Sequence, residues 1–447
     1  PPRSTLFPYT TLFRSESKFF DESIYRLGLL NFQFAGDSEN PKRYYNLAVN
    51  YFDQLANKPS GSFKYDAIYH RGWVRLNSNE ENDLRLAMSD FLTLLNAIES
   101  GLIKDPLLAN DYKDDAIENI AFCLIALDGT DFRSHSRGVT ELQNIFSGYK
   151  NDEVIRRVVD QATINKFDLA ATIQAIDYIQ LKINLSPLAL ENPVLLDSIL
   201  TLYYSDRNQI REGDDIDQIR YSIYSTMIKD YNHNSAWYAA NKDKSVARQI
   251  ALVDNAYTQL GVRLHNNFTT QPSQEKLSAY ISHMADFDGF KRLHGENYAQ
   301  WKLDVDRSTT AFYTYLADQQ RNETAYMQAI TNLYLFNEKY PDDSDVFNNE
   351  GLALGYAQSI FDMMNTKFDQ GGYIPEQGLP ANQDAVFEYF SKIALRFIDV
   401  STSERFVNDA NQTRALQITL FLGDILMAKE KLNSAKDYYL KALAYEN

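Results

Sequence analysis

The chain has 447 residues, 44% hydrophobic and 23% charged, with 30 Tyr and 26 Phe but only 18 Gly and 12 Pro. This is the composition of a folded chain long enough for several domains or one long repeat array, and too poor in turn formers for a β fold. A net charge of −16 argues against nucleic acid and anionic lipid as partners, because both need a positive footprint.

Residues 1–15 match the in-frame translation of a short-read sequencing adapter. They are read as a disordered artefact on a metagenomic fragment, with the biological chain expected to start near Glu16 and any targeting signal expected upstream of it. No uninterrupted apolar run reaches the roughly 20 residues of a membrane helix, so no direct membrane insertion is expected of this fragment.

Residues 16–205 read as an N-terminal array of helical hairpins. Leu27 and Gly28 lead to Ala48, Phe52 and Pro59; Ala67, Gly72 and Trp73 lead to Ala87 and Phe91. Small residues at these spacings let two helices cross closely. The interval from Gly to the next Ala is long in both copies, and the extra residues are expected in the turn between the helices. A degenerate copy has Phe167, Ala175, Ile179 and Pro187. The single cysteine, Cys123, lies in an apolar run and is expected to be a buried, inert thiol.

Residues 206–305 read as a divergent helical region. Residues 206–217 are polar and acidic, a loop or hinge. Stretches 218–231, 244–265 and 274–290 are helical in period; Ile219, Ile223, Met227 and Tyr231 recur at i, i+4, i+8 and i+12. They are hairpins that left the repeat pattern, or an inserted helical module.

Residues 306–447 read as a C-terminal array, expected to continue past Asn447. Tyr313, Leu316 and Ala317 are followed by Ala329, Leu333, Phe336 and Pro341. Proline ends one helix, and Ser344 or a neighbouring Asp can cap the next. Leu354 and Gly355 pair with Ala385 and Tyr389 across a Gly/Pro loop at 369–382. Leu422 and Gly423 are followed by Ala435, twelve residues after the glycine, then by Tyr439 and Ala442 on one helix face.

This skeleton resembles the tetratricopeptide repeat, a helix–turn–helix unit of about 34 residues. The resemblance implies an all-α, helical-hairpin solenoid. Its packing positions would be Gly28, Ala48, Phe52, Gly72, Ala87, Phe91, Ala317, Ala329, Pro341, Gly423, Ala435, Tyr439 and Ala442. Further motifs, Tyr65 to Tyr69 with Gly72 and Trp73, Asp114 to Ala121, and Ser235 to Trp237 with Asn241, resemble a group of large bacterial envelope repeat proteins. That resemblance implies an exported, often lipid-anchored, binding protein in the periplasm or at the outer membrane, with the cytoplasm as the alternative. It carries no catalytic residue.

The six histidines, His70, His135, His233, His265, His283 and His294, show no zinc-ligand spacing. There is no nucleophile elbow, no phosphate loop and no dinucleotide fingerprint. The acidic runs Asp342 to Asp345 and Glu212 to Asp215 do not match a calcium loop and read as caps and a hinge. No catalytic residue, metal or cofactor is expected.

Recognition remains. Counting by helical geometry, the groove-facing residues are Glu22, Tyr25, Leu29 and Phe32, then Asp66, Tyr69, Trp73 and Leu76. Aromatic residues there would anchor a protein or peptide; the competing reading buries them against the next repeat. The equivalent faces further on (Ala311, Thr314, Asp318 and Arg321, then Gln417, Leu420, Asp424 and Met427) lack the basic clamp that a peptide carboxylate needs. The expectation is a non-enzymatic scaffold for a protein partner in a bacterial envelope assembly. The alternative is the docking array of a larger enzyme.

Overall fold

The computed structural model describes residues 18–205, 215–295, 297–369 and 383–444. The adapter-like stretch, residues 206–214 of the hinge with most of the acidic run at 212–215, residues 370–382 of the Gly/Pro loop and the last three residues lie outside the described residues. Every regular element described is an α-helix. The chain divides into two compact units, Pro1–Ala256 and Tyr257–Asn447.

The first unit holds α1 (Lys18–Gly36), α2 (Pro41–Ala56), α3 (Lys64–Ser78), α4 (Glu81–Glu99), α5 (Pro106–Asp128), α6 (Arg137–Ile145), α7 (Asp152–Asp168), α8 (Thr172–Leu185), α9 (Asn192–Ser205), α10 (Ile216–Tyr231) and α11 (Ala236–Asn241). It also holds the start of α12 (Ala247–Thr270). The starts follow local chemistry. Asn40 and Asp105 accept backbone N–H bonds one turn in, and Pro41 and Pro106 occupy first-turn positions where no N–H is needed. Ser136 and Asn151 cap α6 and α7 in the same way.

Most consecutive helices pack as hairpins; α5 packs against α7 past the short α6, α1 also touches α3, and α3 touches α5. Gly28 and Gly72 make the close crossings. A Cβ at Gly28 would lie 2.6 Å from Phe52 Cε1, and one at Gly72 2.8 Å from Phe91 Cζ. Ala48, Phe52, Ala87 and Phe91 are fully buried. The long Gly-to-Ala intervals are not turn insertions. Only Asn79 and Glu80 separate α3 from α4, and residues 37–40 separate α1 from α2. The extra residues extend the helices, where each added residue gains an internal hydrogen bond. In the degenerate copy Ala175 and Ile179 are buried and Phe167 is exposed. Cys123 is buried as a free thiol.

The second unit continues α12 and adds α13 (Gln274–His294), α14 (Tyr298–Gln320), α15 (Glu323–Lys339), α16 (Val346–Asp369), α17 (Gln383–Ser401), α18 (Asp409–Ala428) and α19 (Leu432–Leu443). Ala317, Ala329, Leu333 and Ala435 belong to one continuous core with Phe361, Phe390 and Phe397. Ala442 is also buried, whereas Pro341 is exposed between α15 and α16. A Cβ at Gly423 would lie 2.8 Å from Tyr439 Cε1. Gly355 faces open space; one helical turn earlier, the Cβ position of Gly351 meets Phe397 at 3.7 Å. In the turn before α16, Asp343 accepts the N–H of Asp345 at 2.9 Å, and Arg307 bridges both carboxylates.

Candidate functional site

The residues expected to face a groove come together across α1, α3 and α5 in the first unit. Tyr25 on α1 stacks on Phe63 at 5.1 Å between centroids, and its hydroxyl lies 3.1 Å from His70 Nδ1. That nitrogen donates to the carbonyl of Asp66 at 2.9 Å. The Asp66 carboxylate accepts the hydroxyl of Tyr112, on α5, at 2.5 Å. Tyr69 stacks on Tyr112 at 4.8 Å and donates its own hydroxyl to Asp115 at 2.6 Å. Trp73 lies edge-on to Tyr69 at 6.5 Å, Phe32 sits 6.2 Å from Tyr45, and Glu22 pairs with Arg26 at 2.7 Å.

All eight expected residues are half-buried. The polar atoms of Tyr25, Asp66 and Tyr69 bond between helices, so these three form a bonded ladder rather than a row of free side chains. Burial, then the Asp66 charge, pushes the Tyr25 hydroxyl up to about 12. Burial, then the bond to Asp115, pushes that of Tyr69 to about 12 as well. Burial lowers the His70 pKa and keeps the ring neutral near pH 7.

Beyond the ladder, α5 carries a stripe that sequence reasoning missed. Asp111, Asp115, Glu118 and Phe122 fall at i, i+4, i+7 and i+11, on one helix face. Asp111, Glu118 and Phe122 are exposed, and Asp115 is the acceptor of the Tyr69 bond. Alternation of acids and an aromatic at helical spacing was the available signal. Behind this face Arg71 joins Asp53 and the buried Asp90 at 2.6 Å each, and Arg75 reaches Asp90 at 2.6 Å.

In the second unit the comparable residues are exposed except for the half-buried Thr314, and two of their carboxylates accept tyrosine hydroxyls. Asp318 accepts Tyr356 at 3.0 Å and Asp424 accepts Tyr439 at 2.6 Å. His265 and His294 lie against Phe312 and Phe290, at 4.8 and 5.0 Å. This unit also contains a hollow of about 360 Å3 beside Gly261, walled by Tyr257, Met284, Phe287 and Trp301. Among the described residues no three His, Cys, Asp or Glu side chains form a metal-ligand group, and no helix is long and apolar enough to cross a membrane.

The class defined by this architecture is an all-α, helical-hairpin (TPR-like) solenoid. No family model matches the chain, and no curated protein does. Solved structures similar to it include a circular tandem repeat protein, 11% identical over 96% of this chain and 95% of that one, with a TM-score of 0.22. The hypoxic regulator of sterol synthesis Nro1, described as a nuclear import adaptor, is 10% identical over 86% and 93%, with a TM-score of 0.25. The C-terminal domain of Chaetomium thermophilum Nup170 is 12% identical over 95% and 99%, with a TM-score of 0.24. At these TM-scores the likenesses carry no functional argument.

Proposed function

We propose that the chain is a non-enzymatic scaffold of tetratricopeptide type that binds a protein partner through the α1–α3–α5 face. The observation that carries this reading is the alternation of fixed carboxylates and aromatic rings across those three helices. Asp66 and Asp115 are held in place by Tyr112 and Tyr69, while Asp111, Glu118 and Phe122 stand exposed beside them. Groups ordered before binding lose little freedom on binding. Acids next to Tyr and Trp favour a Lys- or Arg-bearing segment, by charge and by stacking of cations on rings. The net charge of −16 acts in the same direction.

Photo-crosslinking from position 122 of the full chain, in extracts of its source, is the test. The crosslinked segment is expected to be basic, and the pair of changes Asp111→Lys and Glu118→Lys is expected to weaken its binding by about tenfold or more. Unchanged binding in that variant would place the partner elsewhere. The envelope location is part of the same proposal and is supported by the motif resemblance at Gly72, Trp73 and Trp237. Recovery of the native protein in the cytosolic fraction would overturn it.

A further inference from the structure

In the first unit, α3 packs on one side of the α1–α2 hairpin, and on α1 that side carries Tyr25 and Phe32. Leu27 and Phe34 each follow one of these by two residues, so they lie about half a turn round the helix, with Leu30 between them. The three are 41%, 47% and 44% exposed for Leu27, Phe34 and Leu30. On α2, Tyr44, Leu47 and Tyr51 fall at i, i+3 and i+7 on one helix face. Leu47 is 36% exposed, and Tyr44 meets Phe34 edge-on at 6.0 Å, so the two stripes join in one apolar patch. None of these residues is acidic, in a chain with 60 Asp and Glu. Loss of charge with gain of aromatic side chains marks the core of a protein–protein contact, and a repeat side that faces water is ordinarily polar.

We infer that this patch is a self-association surface, on which a second copy of the chain docks through its own α1–α2 hairpin about a two-fold axis. Charge complementarity names a second copy. In a two-fold contact each residue meets the residue that its own counterpart is met by. On α1, Arg26 lies one turn before Leu30 and Phe34 one turn after it, while Ser23 and Asp37 lie two turns away on either side. Two antiparallel copies of α1 crossing at Leu30 therefore bring Arg26 of one to Phe34 and Asp37 of the other, twice over. The Arg26 side chain is 75% exposed, and Phe34 and Asp37 are exposed too. A guanidinium has five donors, so its bond to Glu22 leaves others for Asp37, and it can stack on the Phe34 ring. Elsewhere two copies at −16 repel, which restricts contact to a side without acids. The size is sufficient. With 19 and 16 residues, α1 and α2 are about 28 and 24 Å long and about 10 Å wide each, roughly 500 Å2 per copy. The pair buries about 1,000 Å2, the lower bound for a specific contact, so the dimer is a weak one. The patch lies away from the acidic face and does not rest on it.

The test is sedimentation equilibrium of the full chain at concentrations up to about 100 μM. A reversible monomer–dimer equilibrium is expected, with a Kd of the order of 10 μM. Leu30→Glu sets two carboxylates against each other on the axis and is expected to raise the Kd at least about tenfold. Arg26→Glu is expected to weaken the dimer severalfold, and Asp37→Arg added to it is expected to restore most of the loss. Only a contact that joins these two positions across copies is rescued by that exchange. All these positions are exposed, and helicity measured by circular dichroism guards against misfolding. A chain that stays monomeric throughout would overturn the inference and leave the patch to a different occupant. So would a dimer indifferent to Leu30→Glu, one that the charge exchange does not rescue, or one that disappears when residues 1–15 are removed, which would assign it to that segment.

Discussion

Lys166 Nζ lies 2.8 Å from Asp128 Oδ2, and both side chains are wholly removed from solvent. Asp128 ends α5. It also accepts the hydroxyl of Ser136 at 2.9 Å and the N–H of Gly138 at 2.8 Å, at the start of α6. Lys166 closes α7 and donates to Gln174 of α8 at 2.7 Å. One ion pair therefore joins four helices. Lys166→Met leaves the carboxylate buried without its counter-charge and is expected to destabilise the first unit by roughly 3–5 kcal/mol. Denaturant unfolding measures this; a loss below about 1 kcal/mol would mean that the pair behaves as a solvated one.

The glycine crossings predict a second set of losses. A methyl group at Gly72 must displace the Phe91 ring, so Gly72→Ala is expected to destabilise by roughly 1–3 kcal/mol. Adding Phe91→Leu should recover part of that, because the smaller side chain makes room. Gly423→Leu should loosen α18 and α19 through Tyr439 in the same way. Thermal unfolding of each variant checks the crossings, and an unchanged midpoint would contradict them.

Burial pushes the Cys123 thiol up to about 12. Thiolate, not thiol, is the reactive form. The native chain is therefore expected to leave a thiol reagent such as DTNB unreacted at pH 8 and to react with one equivalent after unfolding. Rapid labelling of the native chain would place Cys123 at a solvent-accessible position.

His70 and His283 are both held below the ordinary histidine pKa of 6.5, chiefly by burial. As pH falls through 6.5, the unfolded chain takes up protons at these rings and the folded chain does not. The unfolded state then binds more protons, so stability falls with pH from about 6.5 down to each folded pKa. Replacing either ring by Gln is expected to flatten the dependence of unfolding free energy on pH between about 6.5 and 5. An identical slope in wild type and variants would refute the shifts.

Much of the fold is legible in local spacing. Ile219, Ile223, Met227 and Tyr231 mark α10 because a helix returns to the same face every 3.6 residues, whatever surrounds it. The 20-residue interval from Gly28 to Ala48 is legible only in part. An interval between two packing positions does not say whether its residues lengthen the helices or the turn, and here they lengthen α1 and α2. The bonds of the candidate face were not legible. Tyr112 reaches Asp66, and Tyr69 reaches Asp115, each across 46 residues, and no periodicity encodes such a pairing.

The sequence by itself determined the helical class, the acidic character and the places where helices can cross closely, because these depend on residue type and on spacing within a few turns. Tertiary structure alone decided what occupies the space beside each glycine. At Gly72 the ring of Phe91 fills it, and at Gly261 the His283 imidazole and Met284 stand 3.5 Å from where a Cβ would lie. It likewise decided that Lys166 meets Asp128 and that Tyr25 meets His70. Those outcomes depend on which side chains arrive from other helices, and close packing of non-local neighbours, not helical period, sets that.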